Sequence, residues 1–142
     1  MSAKIFLSYA KQDRRLVGAV QRALRKNGIV ERDDTVIVGP QLQLRRGVTN
    51  VRKTIKEQIG SASMVVIIMS DHSANSVWVN YEAGMAAALG KPIVLVGKKG
   101  SGKATTAFKA LGNVQSIEIE DKGVTLPGKK RGTLRTAESL NR

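Results

Sequence analysis

The chain has 142 residues, 42% of them hydrophobic, and no cysteine; that is enough for one domain with a real core, and it excludes disulfides, thiolate nucleophiles and cysteine metal sites. Lys and Arg number 24 against 11 Asp and Glu, a net charge of +13, which favours anionic partners such as phosphorylated small molecules or nucleic acid. One histidine, His72, gives no basis for a polyhistidine metal site, and 4% aromatic residues supply few base-stacking platforms, so no metal is expected and nucleic acid is the weaker partner.

Lys4 to Tyr9 reads as a first strand. Gln12 to Lys26 reads as a helix, with Leu16, Val20, Ala23 and Leu24 at helical spacing, Asp13 near its start and Asn27-Gly28 at its stop. Thr35 to Val38 is a short β-branched strand closed by Gly39-Pro40, and Gln41 to Gly47 a polar loop carrying Arg45 and Arg46. Thr49 is placed to cap a helix with Val51, Ile55 and Ile59 on one face, ended by Gly60. Met64 to Met69 is a continuous apolar run, the pattern of a strand buried on both faces of a parallel sheet. Asp71 to Asn75 follows as a polar loop, and Ser76 as the cap of a helix from Val77 to Leu89 ended by Gly90. Ile93 to Val96 is a further buried strand, Lys98 to Lys103 a loop, Ala104 to Leu111 a helix and Val114 to Ile119 the last strand.

Five alternations of strand and helix predict an α/β fold: a doubly wound, mainly parallel five-stranded sheet flanked by helices. Ligands of such sheets sit beyond the carboxyl ends of the strands, so the loops after Tyr9, Val38, Met69 and Val96 are expected to line the site. Residues 1–120 form the expected domain, and 121–142 a basic C-terminal segment, loop or short helix. The apolar run ending at Tyr9 is too short for a signal-peptide core, and Met64 to Met69 is far short of the roughly 20 residues of a membrane span. A cytoplasmic location without a membrane partner is the expectation.

Two segments carry most of the chemical information. One is Phe6-Leu7-Ser8-Tyr9-Ala10-Lys11-Gln12-Asp13 at the end of the first strand; the other is Ser76-Val77-Trp78-Val79-Asn80-Tyr81-Glu82-Ala83-Gly84, opening the helix after the third. Trp78 and Glu82, four residues apart, share a helix face, so Trp78 can anchor the helix while Glu82 points toward the strand-end crevice. With Arg46-Gly47 and the Val51/Ile55/Ile59 helix between them, these segments resemble the TIR domain family, in a bacterial form, from Lys4 to about Val96. The sequence departs from the family's pattern at Gln41 and Gln43, where acidic or aromatic residues are familiar, and it matches poorly beyond Val96.

The resemblance implies a flavodoxin-like fold and cleavage of the nicotinamide–ribose bond of NAD, as an NAD hydrolase or ADP-ribosyl cyclase in prokaryotic defence signalling. NAD is then the substrate and no cofactor is needed. The family's catalytic glutamate matches Glu82, whose carboxylate would stabilise positive charge developing on the ribose, as a glycosidase carboxylate does. Phe6 and Tyr9 would flank a ring of the substrate, Ser8 would meet a ribose or phosphate oxygen, Arg46 the pyrophosphate, and Trp78 would shape the pocket; Phe6 fits core packing at least as well. Self-association through TIR–TIR contacts is the second implication, and a non-catalytic adaptor acting by such assembly is the alternative. A competing motif, Gly97-Lys98-Lys99-Gly100-Ser101-Gly102-Lys103, sits between a strand and a helix as a P-loop does, but Ala104 stands where Ser or Thr should meet magnesium.

Overall fold

A computed structural model describes residues 2–39, 48–98, 108, 111–112 and 114–119. Strand β1 (Lys4–Ser8) is buried from Ile5 onward. The helix expected from Gln12 divides into a 3-10 segment, Lys11–Leu16, and a regular helix α1, Val17–Lys26. Three residues per turn bring side chains three apart onto one side, and here Asp13 and Leu16 are the two buried residues of the 3-10 segment. Helix α1 buries Val20, Ala23 and Leu24 and is followed by Gly28 at φ 72, a left-handed backbone that glycine adopts without strain.

Strand β2 (Thr35–Val38) stands as expected. Helix α2 (Val48–Ser61) begins one residue before Thr49, which therefore lies inside the first turn, and Gly60 falls within its last turn. Ile55 and Ile59 are fully buried. Strand β3 (Met64–Met69) is buried on both faces after its first residue. The segment expected as a polar loop forms a short helix, α3 (Asp71–Ala74), because Ser70 and Ser73 make a reciprocal capping box that satisfies donors at its start. Ser76 caps α4 (Val77–Ala88), its Oγ accepting from Val79 N at 3.2 Å, and Gly90 at φ 70 follows the helix.

Strand β4 (Ile93–Lys98) runs two residues past the expected end, because Gly97 and Lys98 pair with Glu118 and Ile119 of β5 (Val114–Ile119). The first two residues of the P-loop-like segment are therefore strand, and Lys99 to Lys103 lie outside the described residues. So do Arg45 and Arg46, most of the helix expected over Ala104–Leu111, and the segment 121–142; Phe108 is described and buried.

The five strands form one parallel sheet in the order β2-β1-β3-β4-β5. Side chains alternate between its faces. Ile5, Leu7 and Tyr9 pack with Leu16, Val20 and Leu24 on one side; Phe6 and Ala10 pack with Ile55, Ile59, Val79 and Ala83 on the other. Helix α1 thus covers one face, and α2 and α4 the opposite one. The chain leaves β1 toward one face and β3 toward the other, so the order reverses between these neighbours, the place where doubly wound sheets open a crevice. Among the described residues no helix is long and apolar enough to cross a membrane.

Candidate functional site

The expected site residues separate into two groups, and strand alternation is the reason. Phe6 faces the α2/α4 side of the sheet while Tyr9 faces α1. Ser8, two residues from Phe6, meets α4: its Oγ donates to Glu82 Oε1 at 2.5 Å, across 74 positions of sequence. Both Ser8 and Glu82 are 0% exposed. A buried carboxyl group is costly without partners, so its placement on the sheet beneath α4 is a constructed feature of the fold.

The end of β2 closes against this pair. A Cβ added at Gly39 would stand 3.0 Å from Glu82 Oε2, 3.1 Å from Phe6 Cζ and 3.2 Å from the Leu7 carbonyl oxygen. Only a residue without a side chain lets the β2 end approach so closely. Phe6 is therefore a core residue in contact range of the carboxyl group's surroundings, fully buried and part of the core around α2 and α4.

The open part of the crevice lies next to this pair and does not include it. A cleft of about 350 Å³ is walled on one side by Tyr9, Lys11 and Gln12, and on the other by Asp71, His72 and Asn75. Ser76 and Trp78, at the start of α4, complete it. Glu82 shares a helix face with Trp78 but sits about one turn further on, four residues or about 6 Å along the axis. That turn separates an open aromatic rim from a sealed carboxyl group. Trp78 is half-buried and meets Tyr81 edge-on, with ring centroids 5.9 Å apart and planes at 86°, a preferred aromatic geometry. Burial pushes the Tyr9 phenol above its ordinary value of 10.0, with Arg14 pulling weakly the other way. Tyr9 therefore keeps its proton at neutral pH and can donate or accept a hydrogen bond.

Of the four loops expected to line the site, those after β1 and β3 supply the lining of this cleft, and the individual residues Lys11, Gln12, Asp71 and Asn75 were not expected there. A polar stretch in a helical segment this short carries no apolar pattern from which to read the direction of its side chains. Asp13, expected only as a helix-start carboxylate, is 5% exposed and accepts a hydrogen bond from Ser70 Oγ. Its signal was present in the short spacing to Leu16, which the 3-10 winding turns to the same side.

The family model described as a TIR domain, TIR_2, matches residues 5–125. No curated protein matches the sequence. Among solved structures, the chain is similar to the CMP N-glycosidase BcmB of Clostridium botulinum, with TM-score 0.58 and 18% identity over 83% of this chain and 89% of that one. It is also similar to the TIR domains of the activated Roq1 resistosome, with TM-score 0.49 and 21% identity over 76% and 69% of the two chains. A flavodoxin-like domain from Synechococcus sp. gives TM-score 0.47 and 20% identity over 82% and 83%. At these identities the likeness is one of fold.

Proposed function

This chain belongs to the TIR domain family, and from that premise we propose that it is an enzyme cleaving the nicotinamide–ribose bond of NAD, with Glu82 as its catalytic carboxylate. The observation that carries the reading is the Ser8–Glu82 pair: a carboxyl group held by a hydroxyl, fully buried, one turn below an aromatic-rimmed cleft at the reversal point of the sheet. Enzymes position such groups in water-poor sites, where charge acts strongly.

In this mechanism the C1′–N bond breaks and its electron pair leaves with nicotinamide, which departs neutral because the bound ring was cationic. Positive charge then accumulates on the ribose, and the Glu82 carboxylate stabilises it. Water adds to C1′ and releases a proton, giving ADP-ribose; attack by a nitrogen of the adenine gives the cyclic isomer instead. The Ser8 hydroxyl keeps the carboxylate aimed. Tyr9 and Trp78 receive the rings of the substrate, and Lys11 faces its phosphates. Glu82 has no exposed surface, so the sugar reaches it only when the packing around Gly39 loosens. Arg46, outside the described residues, keeps its proposed role at the pyrophosphate.

A second reading rests on that same burial. A sealed Ser8–Glu82 bond also fastens α4 to β1, as it would in a non-catalytic interaction module assembling through TIR–TIR contacts. The deciding measurement is NAD turnover by the purified protein at high concentration, with and without a crowding agent, for wild type and Glu82→Gln. The expected result is NAD loss with wild type and a fall of at least ~100-fold in the variant, with the product peak naming hydrolase or cyclase. No NAD loss under any condition sinks the enzyme reading; the module reading then requires that Glu82→Gln assemble as wild type does.

A further inference from the structure

Strands β1 and β3 are neighbours whose following segments peel away to opposite faces of the sheet. That divergence opens the cleft, and by itself it leaves the two walls on separate elements with no common support. One polar chain spans them. Asp13, in the 3-10 segment after β1, is 5% exposed, and its Oδ2 accepts a hydrogen bond from Ser70 Oγ, at the end of β3. Ser70 Oγ in turn accepts from Ser73 N at 3.0 Å, and Ser73 Oγ donates back to the Ser70 carbonyl at 3.1 Å and accepts from Ser70 N at 2.8 Å. Ser73 is fully buried. The first turn of α3 is thereby locked, and α3 packs against the 3-10 segment.

We propose that Asp13 is a positioning residue for the cleft: its carboxylate latches Ser70, and through the capping box of α3 it fixes Asp71 and His72 opposite Lys11 and Gln12. The reasoning is geometric. Lys11 and Gln12 immediately precede Asp13, while Asp71 and His72 immediately follow Ser70, so the latch sits at the root of both walls. Asp13 N also donates to the Ala10 carbonyl at 2.8 Å, which ties the carboxylate's own backbone to the cleft residue Ala10. A hydrogen bond to a buried carboxyl group is among the stronger single contacts a protein makes. Nothing else in the chemistry of the proposed NAD site calls on Asp13, which does not line the cleft.

Trp78 is the chain's one tryptophan and lines the cleft, so its fluorescence reports the cleft directly. The experiment compares wild type, Asp13→Ala and Asp13→Asn at a temperature where circular dichroism shows all three folded. Acrylamide quenching of Trp78 is measured first, then NAD titration followed by the same emission. In Asp13→Ala, quenching should rise above wild type and NAD affinity should fall about tenfold, the equivalent of one lost hydrogen bond of this kind. KM should rise with little change in kcat. Asp13→Asn keeps an acceptor for Ser70 and should recover most of both losses. If Asp13→Ala only melts at a lower temperature, with quenching and affinity as in wild type, the residue is merely structural and the proposal fails.

The affinity arm rests on the NAD reading, whereas the quenching arm does not. Wild type that gives no response to NAD therefore removes that reading while quenching alone decides the latch. Should Asp13→Ala fail to fold, Ser70→Ala and Ser70→Thr carry the same comparison. Ser70→Ala removes the donor and should raise quenching, and Ser70→Thr keeps it and should not; equal quenching in the two overturns the proposal.

Discussion

The Ser8–Glu82 pair and the cleft rimmed by Tyr9 and Trp78 lie one helical turn apart and obey different physics. The pair is sealed: neither residue has exposed surface, the hydrogen bond is 2.5 Å long, and Gly39 packs so closely that an added Cβ would stand 3.0 Å from Glu82 Oε2. The cleft is open to solvent, about 350 Å³, and built from the segments that follow β1 and β3 and from the start of α4. A change in the first region alters the packing of the sheet against α4, so stability and chemistry shift together. A change in the second alters the lining of the cleft, and at Tyr9 and Trp78 it reaches the edge of the core as well. The difference teaches how one crevice can hold two environments, a hydrogen-bonded carboxyl group inside the core and a solvent-filled cleft beside it.

Four substitutions put pressure on that division. Ser8→Ala should act most strongly. It strips the hydroxyl from a buried carboxyl group, and removal of one partner of a buried polar pair costs about 1–3 kcal/mol. Urea unfolding should show that loss, and NAD turnover should fall with it; an unchanged unfolding midpoint would mean that the pair is not the fastening point that its geometry indicates. Gly39→Ala comes next. The added Cβ meets Glu82 Oε2, Phe6 and the Leu7 carbonyl oxygen at 3.0–3.2 Å, an overpacking worth about 1–3 kcal/mol. Its unfolding midpoint should drop, while the fluorescence of Trp78, out on the rim, stays as in wild type.

Trp78→Ala probes the other region. Its ring is half-buried and stands edge-on to Tyr81, a contact worth about 0.5–1.5 kcal/mol. The expected outcome is a raised KM for NAD with a modest change in melting temperature. A collapse of stability instead would move Trp78 from the rim into the core in function.

The smallest effect belongs to a residue outside both regions. Asp34 accepts hydrogen bonds from Ala3 N at 2.9 Å and Glu31 N at 2.7 Å. These bonds, that from Glu31 first, hold its carboxyl below the ordinary 3.8. A carboxyl depressed in the folded state contributes stability above its unfolded value, and that contribution is lost as pH falls below 3.8 through the folded value. In urea unfolding from about pH 5 to pH 2, wild type should therefore lose slightly more stability than Asp34→Asn. Identical acid profiles would show that the turn after α1 contributes nothing.

Much of this molecule was legible in its sequence. The apolar run Met64–Met69 read as a strand covered on both faces, since six consecutive apolar residues leave no solvated side, and β3 is that strand. Ser76 announced the start of α4, because its hydroxyl can satisfy a free N–H there. The parallel sheet followed from the alternation of elements, and with it the strand ends as the place where a cleft opens. The resemblance of two short segments to the TIR domain family rested on residue identities at fixed spacing, and the family match from 5 to 125 bears it out.

Other features lay outside what composition and periodicity reveal. That Asp71–Ala74 is helical was decided by the reciprocal bonds of Ser70 and Ser73, and polar composition alone had suggested a loop. That β4 extends through Lys98 was decided by β5, which offers partners to Gly97 and Lys98. Above all, local sequence places Trp78 and Glu82 on one face of one helix, and it says nothing of depth. Depth is a property of what packs against the helix: β1 supplies Ser8, and Gly39 follows directly after β2, 74 and 43 positions before Glu82. The sequence by itself determined the family and the alternation of strand and helix; only the packed sheet decided which of the candidate residues meet solvent and which are sealed, because burial is set by neighbours that no local pattern encodes.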